Sequence, residues 1–130
     1  MKKTALRAWL YVFIYAALLF ASSSFSWRLP IVQKAEKIHL DWFVHAVEYG
    51  LFGALLAAAF AASFKFRSAL GLIIFAGLVG GCYGVTDEWH QSFTPERDPN
   101  AADAAVDLAG ALAGASIWAK KNSREFCIHA

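Results

Sequence analysis

Four long apolar blocks, separated by short polar stretches, restrict what this chain can fold into. They cover about residues 8–26, 41–63, 68–89 and 102–119. A helix needs roughly 20 apolar residues to cross the hydrocarbon layer of a membrane, or about 17–25 with tilt. Only 17% of the residues are charged, against about 25% in a typical soluble domain. The blocks therefore predict an all-α protein, an integral membrane four-helix bundle that forms one domain over residues 1–130.

The first apolar block has two interpretations. It follows the basic residues Lys2, Lys3 and Arg7 and ends in the small residues 21–24, a combination that also occurs in cleaved signal peptides. Its apolar run is long for the hydrophobic region of a signal peptide, so a retained membrane helix is favoured.

A short amphipathic segment, residues 27–40, joins the first two blocks. Its apolar residues recur at helical spacing and its lysines fall on the other side: Ile31, Ala35, Ile38, Lys34 and Lys37. This pattern is typical of a helix that lies in the membrane interface. We therefore expect a short interfacial helix between the first two spans.

Basic residues are distributed unequally between the two ends of the expected bundle. With four spans, eight of the 12 Lys and Arg residues lie on the side that holds both chain ends. Basic residues close to the ends of spans are enriched on the cytoplasmic side. The distribution therefore predicts that both termini are cytoplasmic and that most acids lie on or toward the outer face.

Polar residues form a stripe on three of the predicted helices, always near the outer end. By helical spacing, the stripes consist of Asp41, His45, Glu48 and Tyr49 on the second helix, Glu88 and Gln91 on the third, and Asp103 and Asp107 on the fourth. Asp87 is rotated by about 100° from its neighbour Glu88. Glycines and alanines lie deeper in the membrane on these helices, and small residues let membrane helices approach closely. We expect a tightly packed bundle that opens into a polar pocket at its outer mouth.

Some of these residues also have a purely structural interpretation. Asp41 and Asp103 suit the first turns of helices, where the helix dipole favours acids. Tyr49 suits the aromatic belt at the membrane interface. Arg97, in the loop before the fourth helix, could pair with a nearby acid or could hold an anionic ligand.

Glu48 and Asp107 are the hardest to explain structurally, because a carboxylate inside a membrane is costly unless it is paired or used. The polar residues together could bind a divalent metal ion, although no strong metal-binding spacing occurs. Alternatively the site could transfer protons near neutral pH, with four candidate catalytic residues: His45, Glu48, Asp87 and Glu88. Arg97 would then hold a phosphate. The net charge of +2 and the lack of a basic stripe argue against a nucleic-acid partner.

Two segments resemble the motifs of the VanZ-like family. Residues 41–49, DWFVHAVEY, are similar to that family's D-x-x-x-H-x-x-E-Y pattern. Residues 87–97, DEWHQSFTPER, followed by Asp103, Asp107 and two glycines, are similar to its D-E-x-H-Q-x-F-x-P-G-R block. Two positions depart from the family, because Glu96 stands where glycine is usual and Asp107 stands where asparagine is frequent.

The resemblance implies a small four-helix protein of the bacterial inner membrane, and the family's namesake is associated with resistance to the lipoglycopeptide antibiotic teicoplanin. The resemblance supplies no mechanism. The convergence of charged residues at the outer end instead points to a protein that contacts membrane lipids and binds or acts on a lipid-linked cell-wall precursor or a lipoglycopeptide. Six residues are candidates for substrate binding: Asp41, Tyr49, Gln91, Arg97, Asp103 and Asp107. In the alternative, the charges form a buried structural network, and the protein works without catalysis through contacts with lipids or other proteins.

Overall fold

The computed structural model describes residues 3–24, 40–93 and 100–123, without the side chains of residues 40 and 41. These residues form four α-helices: α1 (Lys3–Ser23), α2 (Leu40–Ser63), α3 (Ala69–Gln91) and α4 (Ala101–Lys121). Each helix coincides with one apolar block, so the all-α prediction is confirmed for this part of the chain. The expected interfacial helix falls almost entirely on residues 25–39, which lie outside the described residues.

Three of the helices are long and apolar enough to cross a membrane: α1, α2 from Trp42 onward, and α3. The fourth helix, α4, has 21 residues but contains four charged residues among many alanines and glycines. It packs extensively against both α2 and α3. A helix that is covered by neighbouring helices presents less surface to lipid, so a lower hydropathy is compatible with this position.

Small residues bring α2 and α4 into backbone contact. A Cβ atom added at Gly114 would collide with the carbonyl oxygen of Gly50, and one added at Gly110 would lie 2.7 Å from the carbonyl oxygen of Ala46. Position 46 thus pairs with 110 and position 50 with 114, which means that the two helices run parallel. The first turns of α2 and α4 therefore lie at the same end of the bundle.

Glycines on α3 pack against α4 in the opposite direction. A Cβ atom added at Gly81 would lie 2.7 Å from Leu108 Cδ1, and one added at Gly84 would lie 2.8 Å from both Asp107 Cβ and Asp107 Oδ2. A higher residue number on α3 is paired with a lower residue number on α4, so these two helices are antiparallel. The last turns of α3 therefore join the first turns of α2 and α4.

Aromatic side chains attach α1 to the other helices. Tyr15 Oη donates a hydrogen bond to the carbonyl oxygen of Glu48 at 3.2 Å, and Tyr83 Oη donates to that of Ala16 at 2.7 Å. Both tyrosine rings pack against Phe52, with ring centroids 6.2 Å and 5.1 Å away. α1 is therefore an integral part of the bundle.

Candidate functional site

A histidine–carboxylate pair joins α2 to α4 near the starts of both helices. His45 Nδ1 lies 2.9 Å from Asp107 Oδ1. The Asp107 side chain is completely buried, whereas 16% of the His45 side chain remains exposed. The parallel packing of the two helices brings these positions together. When Asp107 is ionised, Nδ1 donates the hydrogen bond and Nε2 is left as an acceptor.

Four buried polar atoms near this pair have no hydrogen-bond partner within the described part of the chain: Tyr49 Oη, Asp87 Oδ1, Glu88 Oε1 and Asp107 Oδ2. None of the four residues is more than 7% exposed. Asp87 and Asp107 lie close enough to Tyr49 for their charges to act on its hydroxyl group. Leaving a buried polar atom unpaired costs about 1–3 kcal/mol, so four such atoms in one region need an explanation.

Asp87 is tied to α1 through a contact that sequence reasoning missed. Gln91 Nε2 lies 3.2 Å from Asp87 Oδ2 and 3.3 Å from Ser23 Oγ, donating to both. Ser23 and Gln91 are both buried. Ser23 lies at helical spacing from the buried residues Val12 and Leu19, a signal that could have identified it as inward-facing. The last turn of α1 is therefore a fourth wall of the site.

Glu88 connects the end of α3 to the start of α4. Its Oε2 accepts a hydrogen bond from the backbone N–H of Asn100 at 2.8 Å. Asn100 is the N-cap of α4, since its side-chain oxygen accepts from the N–H of Ala102 at 3.0 Å. Asp103 lies in the first turn, as the structural interpretation expected, and its Oδ1 is 3.4 Å from Asn100 Nδ2. One oxygen of Glu88 thus positions the start of α4, and the other is without a partner among the described residues.

His90 contacts α1 and not the His45–Asp107 pair. Its Nε2 lies 3.1 Å from Ser24 Oγ, and its ring centroid lies 4.3 Å from that of Phe20. Ser24 Oγ also donates to the carbonyl oxygen of Phe20 at 2.7 Å. When the single hydroxyl proton is donated to Phe20, Ser24 Oγ can only accept a hydrogen bond, which requires the tautomer of His90 that carries its proton on Nε2.

The structure places the remaining predicted residues at the margin of the site or outside the described residues. Glu48 is half-buried, and its charge acts on His45 and Tyr49. Arg97 and the side chain of Asp41 fall outside the described residues, so their predicted roles stay predictions. The residues that the structure brings together are His45, Tyr49, Asp87, Glu88, Gln91 and Asp107.

The side chains in the described ranges do not supply a metal centre. No three of their His, Cys, Asp and Glu residues are arranged to hold a metal ion. The reason lies in the directions of the acids: Asp87 contacts Gln91 on the side of α1, whereas Glu88 contacts Asn100 at the start of α4. Within these ranges the side chains therefore lend no support to the divalent-metal alternative.

Charge is separated along the bundle. The Lys and Arg residues that the structure describes all lie at the end opposite the site: Lys3, Arg7, Lys65, Arg67, Lys120 and Lys121. The described carboxylates lie at or near the site end: Glu48, Asp87, Glu88, Asp103 and Asp107. Among the described residues, the two ends of the bundle therefore carry charges of opposite sign.

No family model, no curated protein and no solved structure matches this chain. The resemblance to the VanZ-like family consequently rests on the residues of the two motifs, six of which meet in the site.

Proposed function

We propose that the chain is a VanZ-like protein of the bacterial inner membrane whose polar site, at the outer face, binds or acts on a lipid-linked head group. By resemblance, this activity would contribute to resistance against glycopeptide and lipoglycopeptide antibiotics such as teicoplanin. The observation that carries the proposal is the His45–Asp107 contact of 2.9 Å amid four buried polar atoms that have no hydrogen-bond partner among the described residues.

The histidine has the surroundings of a proton-transfer group. Its Nδ1 is held by a fully buried carboxylate, which fixes the orientation of the ring, and its side chain keeps partial exposure. A histidine in this arrangement accepts or donates a proton at Nε2 near neutral pH. His45 would therefore be the acid–base group, and Asp107 would position it.

The orientation of the proposed protein follows from its charges. The end with the described lysines and arginines would face the cytoplasm, in accordance with the enrichment of basic residues on that side. Both termini would then be cytoplasmic, α4 would be the fourth crossing, and Asn100 would lie at the outer surface. Arg97, which is three residues from Asn100, would be available to hold an anionic part of the substrate.

The proposal is tested by measuring teicoplanin susceptibility in a bacterium that depends on this protein for its resistance. His45→Gln and Asp87→Asn should abolish the resistance, and Arg97→Ala should weaken it. Lys120→Gln, on α4 but at the opposite end, is the control and should leave resistance unchanged. Variants that reach the membrane in normal amounts and still confer full resistance would refute the proposal.

A non-catalytic function is the second candidate, and the hydrogen bonds that the carboxylates already make favour it. Asp107 binds His45 and Glu88 binds the N–H of Asn100, so each joins different segments of the bundle. Under this alternative, His45→Gln and Asp87→Asn would lower the stability of the bundle in proportion to any loss of resistance. Loss of resistance at unchanged stability would exclude it.

A further inference from the structure

We propose that the end of α1, residues 17–24, is a movable wall of the candidate site. This segment, called the α1 gate below, moves away from α3 and uncovers the site, while α2, α3 and α4 stay packed together. The inference rests on the proposed function, because it explains how a head group reaches side chains that the bundle covers. Asp87, Glu88 and Asp107 are all buried. Side chains in such a position meet a ligand only after one wall of the site has moved.

Close backbone packing fixes α2, α3 and α4 to one another. A Cβ atom added at Gly53 of α2 would collide with the backbone of Ala111 on α4, and one added at Gly77 of α3 would press on Leu112. By contrast, α1 contains no glycine. Within the described ranges, its hydrogen bonds to the other helices all run through side chains. Helices that are packed backbone to backbone separate only with the loss of many contacts, so α1 is the wall that moves most easily.

Polar contacts attach the α1 gate to the last turn of α3. Ser23 Oγ accepts a hydrogen bond from Gln91 Nε2 at 3.3 Å and also hydrogen-bonds to Asp87. The next residue, Ser24, has its Oγ 3.1 Å from His90 Nε2. Such hydrogen bonds contribute little net stability, because the same groups can bond to water or to lipid head groups instead. The contacts that hold the gate against α3 are therefore exchangeable.

The two ends of α1 differ in how they are held. In the α1 gate only Leu19 and Ser23 are buried. Toward the other end of α1, Trp9 Nε1 donates a hydrogen bond to Ser63 Oγ at 2.9 Å, and the Trp9 ring packs edge-on against Phe60 with a centroid distance of 5.2 Å. The end of α1 that carries Trp9 therefore stays anchored to α2 when the gate end moves.

The closed arrangement leaves a group unsatisfied that opening would satisfy. Asp87 Oδ1 is buried and has no hydrogen-bond partner in the described part of the chain. Once the α1 gate has moved, water or a head group can donate to this oxygen. That gain offsets part of the loss of the hydrogen bonds between Ser23 and its partners on α3. The free energies of the closed and open arrangements are therefore close enough for both to be populated.

The first test measures distances between spin labels in lipid bilayers, in a background without the native cysteines. One pair of labels, at Leu18→Cys and Trp89→Cys, joins the gate to the end of α3. The matched control pair, at Leu6→Cys and Leu70→Cys, joins the opposite ends of the same two helices, and all four side chains are exposed. Double electron–electron resonance should show a second, longer distance for the gate pair and a single distance for the control pair. Single distances of equal width for both pairs would overturn the proposal.

The second test closes the α1 gate chemically. A short bifunctional methanethiosulfonate reagent, which reductant removes, would join Ser24→Cys to His90→Cys in the same background. Access to the site would be read as the rate at which a water-soluble carbodiimide modifies Asp87, by peptide mass spectrometry. Closing the gate should lower this rate about tenfold or more, since modification follows the population of the open arrangement, and reductant should restore it. The control cross-link, between Trp9→Cys and Ser63→Cys, should leave the rate unchanged. Equal rates with and without the gate cross-link would refute the gate.

Teicoplanin resistance distinguishes a failure of the gate from a failure of the proposed function. Cells whose protein carries the gate cross-link should lose resistance and regain it with reductant. If the cross-link protects Asp87 and full resistance persists, the proposed function of this site is refuted and the gate stands. If His45→Gln abolishes resistance but neither the distances nor the modification rate reveal an opening, the gate alone is refuted. Should a cysteine pair prevent folding, the spin-label distances still decide.

Discussion

His45 and Asp107 are 62 positions apart in sequence, and their side chains meet at 2.9 Å between Nδ1 and Oδ1. The contact exists because α2 and α4 run parallel, with glycine where their backbones cross. A histidine at a helix end would by itself be an ordinary polar residue. With a completely buried aspartate on one nitrogen, it becomes the centre around which the other polar atoms of the site are arranged.

Removing one partner of this pair should destabilise the bundle. His45→Ala leaves Asp107 buried without its partner and should lower the free energy of unfolding by about 3 kcal/mol. Asp107→Asn keeps an oxygen that accepts from Nδ1–H and should cost less than about 1 kcal/mol. SDS-induced unfolding in mixed micelles measures both. Equal stability of His45→Ala and the unaltered protein would show that the pair contributes nothing.

Alanine substitutions at two glycines one turn apart on α3, Gly81 and Gly84, distinguish an effect on the candidate site from an effect on helix packing alone. A Cβ atom at Gly84 would press on Asp107 Cβ and Oδ2, and one at Gly81 would press on the flexible end of Leu108. Each alanine variant should lower the free energy of unfolding by about 1–3 kcal/mol. Only Gly84→Ala should also abolish teicoplanin resistance, because it displaces Asp107. Equal losses of function in the two variants would contradict this.

The contact between α2 and α4 should tolerate no side chain at its centre. Gly114→Ala places a Cβ atom against the carbonyl oxygen of Gly50, a rigid backbone group, and should destabilise the bundle by about 3 kcal/mol or more. Gly71→Ala is the matched control, since its Cβ atom would meet only Ser68 Oγ, at 3.4 Å. Alanine there should be neutral or stabilising by up to about 1 kcal/mol. A fully stable Gly114→Ala variant would mean that the helices are not in backbone contact.

The stability of the bundle should not depend on the charge of Glu88, provided that the replacing residue keeps an acceptor oxygen. Glu88→Gln can still accept from the N–H of Asn100 and should leave the unfolding free energy nearly unchanged. Glu88→Ala removes the acceptor and should cost about 1–3 kcal/mol. Hydrogen exchange at the first turn of α4 provides the local measurement, and it should increase in Glu88→Ala only. Unchanged exchange in that variant would exclude a positioning role for Glu88.

The orientation of the protein can be read by cysteine labelling. In a background that carries Cys82→Ser and Cys127→Ser, a membrane-impermeant maleimide added to intact cells should label Ser92→Cys. Lys65→Cys, which is exposed at the opposite end, should react only after the membrane is opened. This outcome follows from the enrichment of basic residues on the cytoplasmic side. Labelling in the reverse order would place the polar site in the cytoplasm.

The sequence by itself determined the helices and most of the polar faces. Runs of about 20 apolar residues leave a chain few alternatives to helices, and the predicted blocks coincide with α1 to α4 to within a few residues. Helical spacing also placed His45 and Tyr49 on one face of α2, and Asp107 on the face of α4 that carries Gly110 and Gly114. These properties are local, because they depend on residues three or four positions apart.

Only the tertiary structure decided which faces meet and which polar atoms find partners. Helical spacing separated Asp87 from the stripe of Glu88 and Gln91, yet Asp87 is buried because α1 covers that side and brings Ser23 to Gln91. Likewise, Glu88 contacts the N–H of Asn100 across a connection whose path no periodicity specifies. Such contacts depend on how close two helix axes come and on the rotation of each helix about its axis. Both are set by the packing of small residues from different segments, so the sequence could list candidate residues but could not show which of them contact one another.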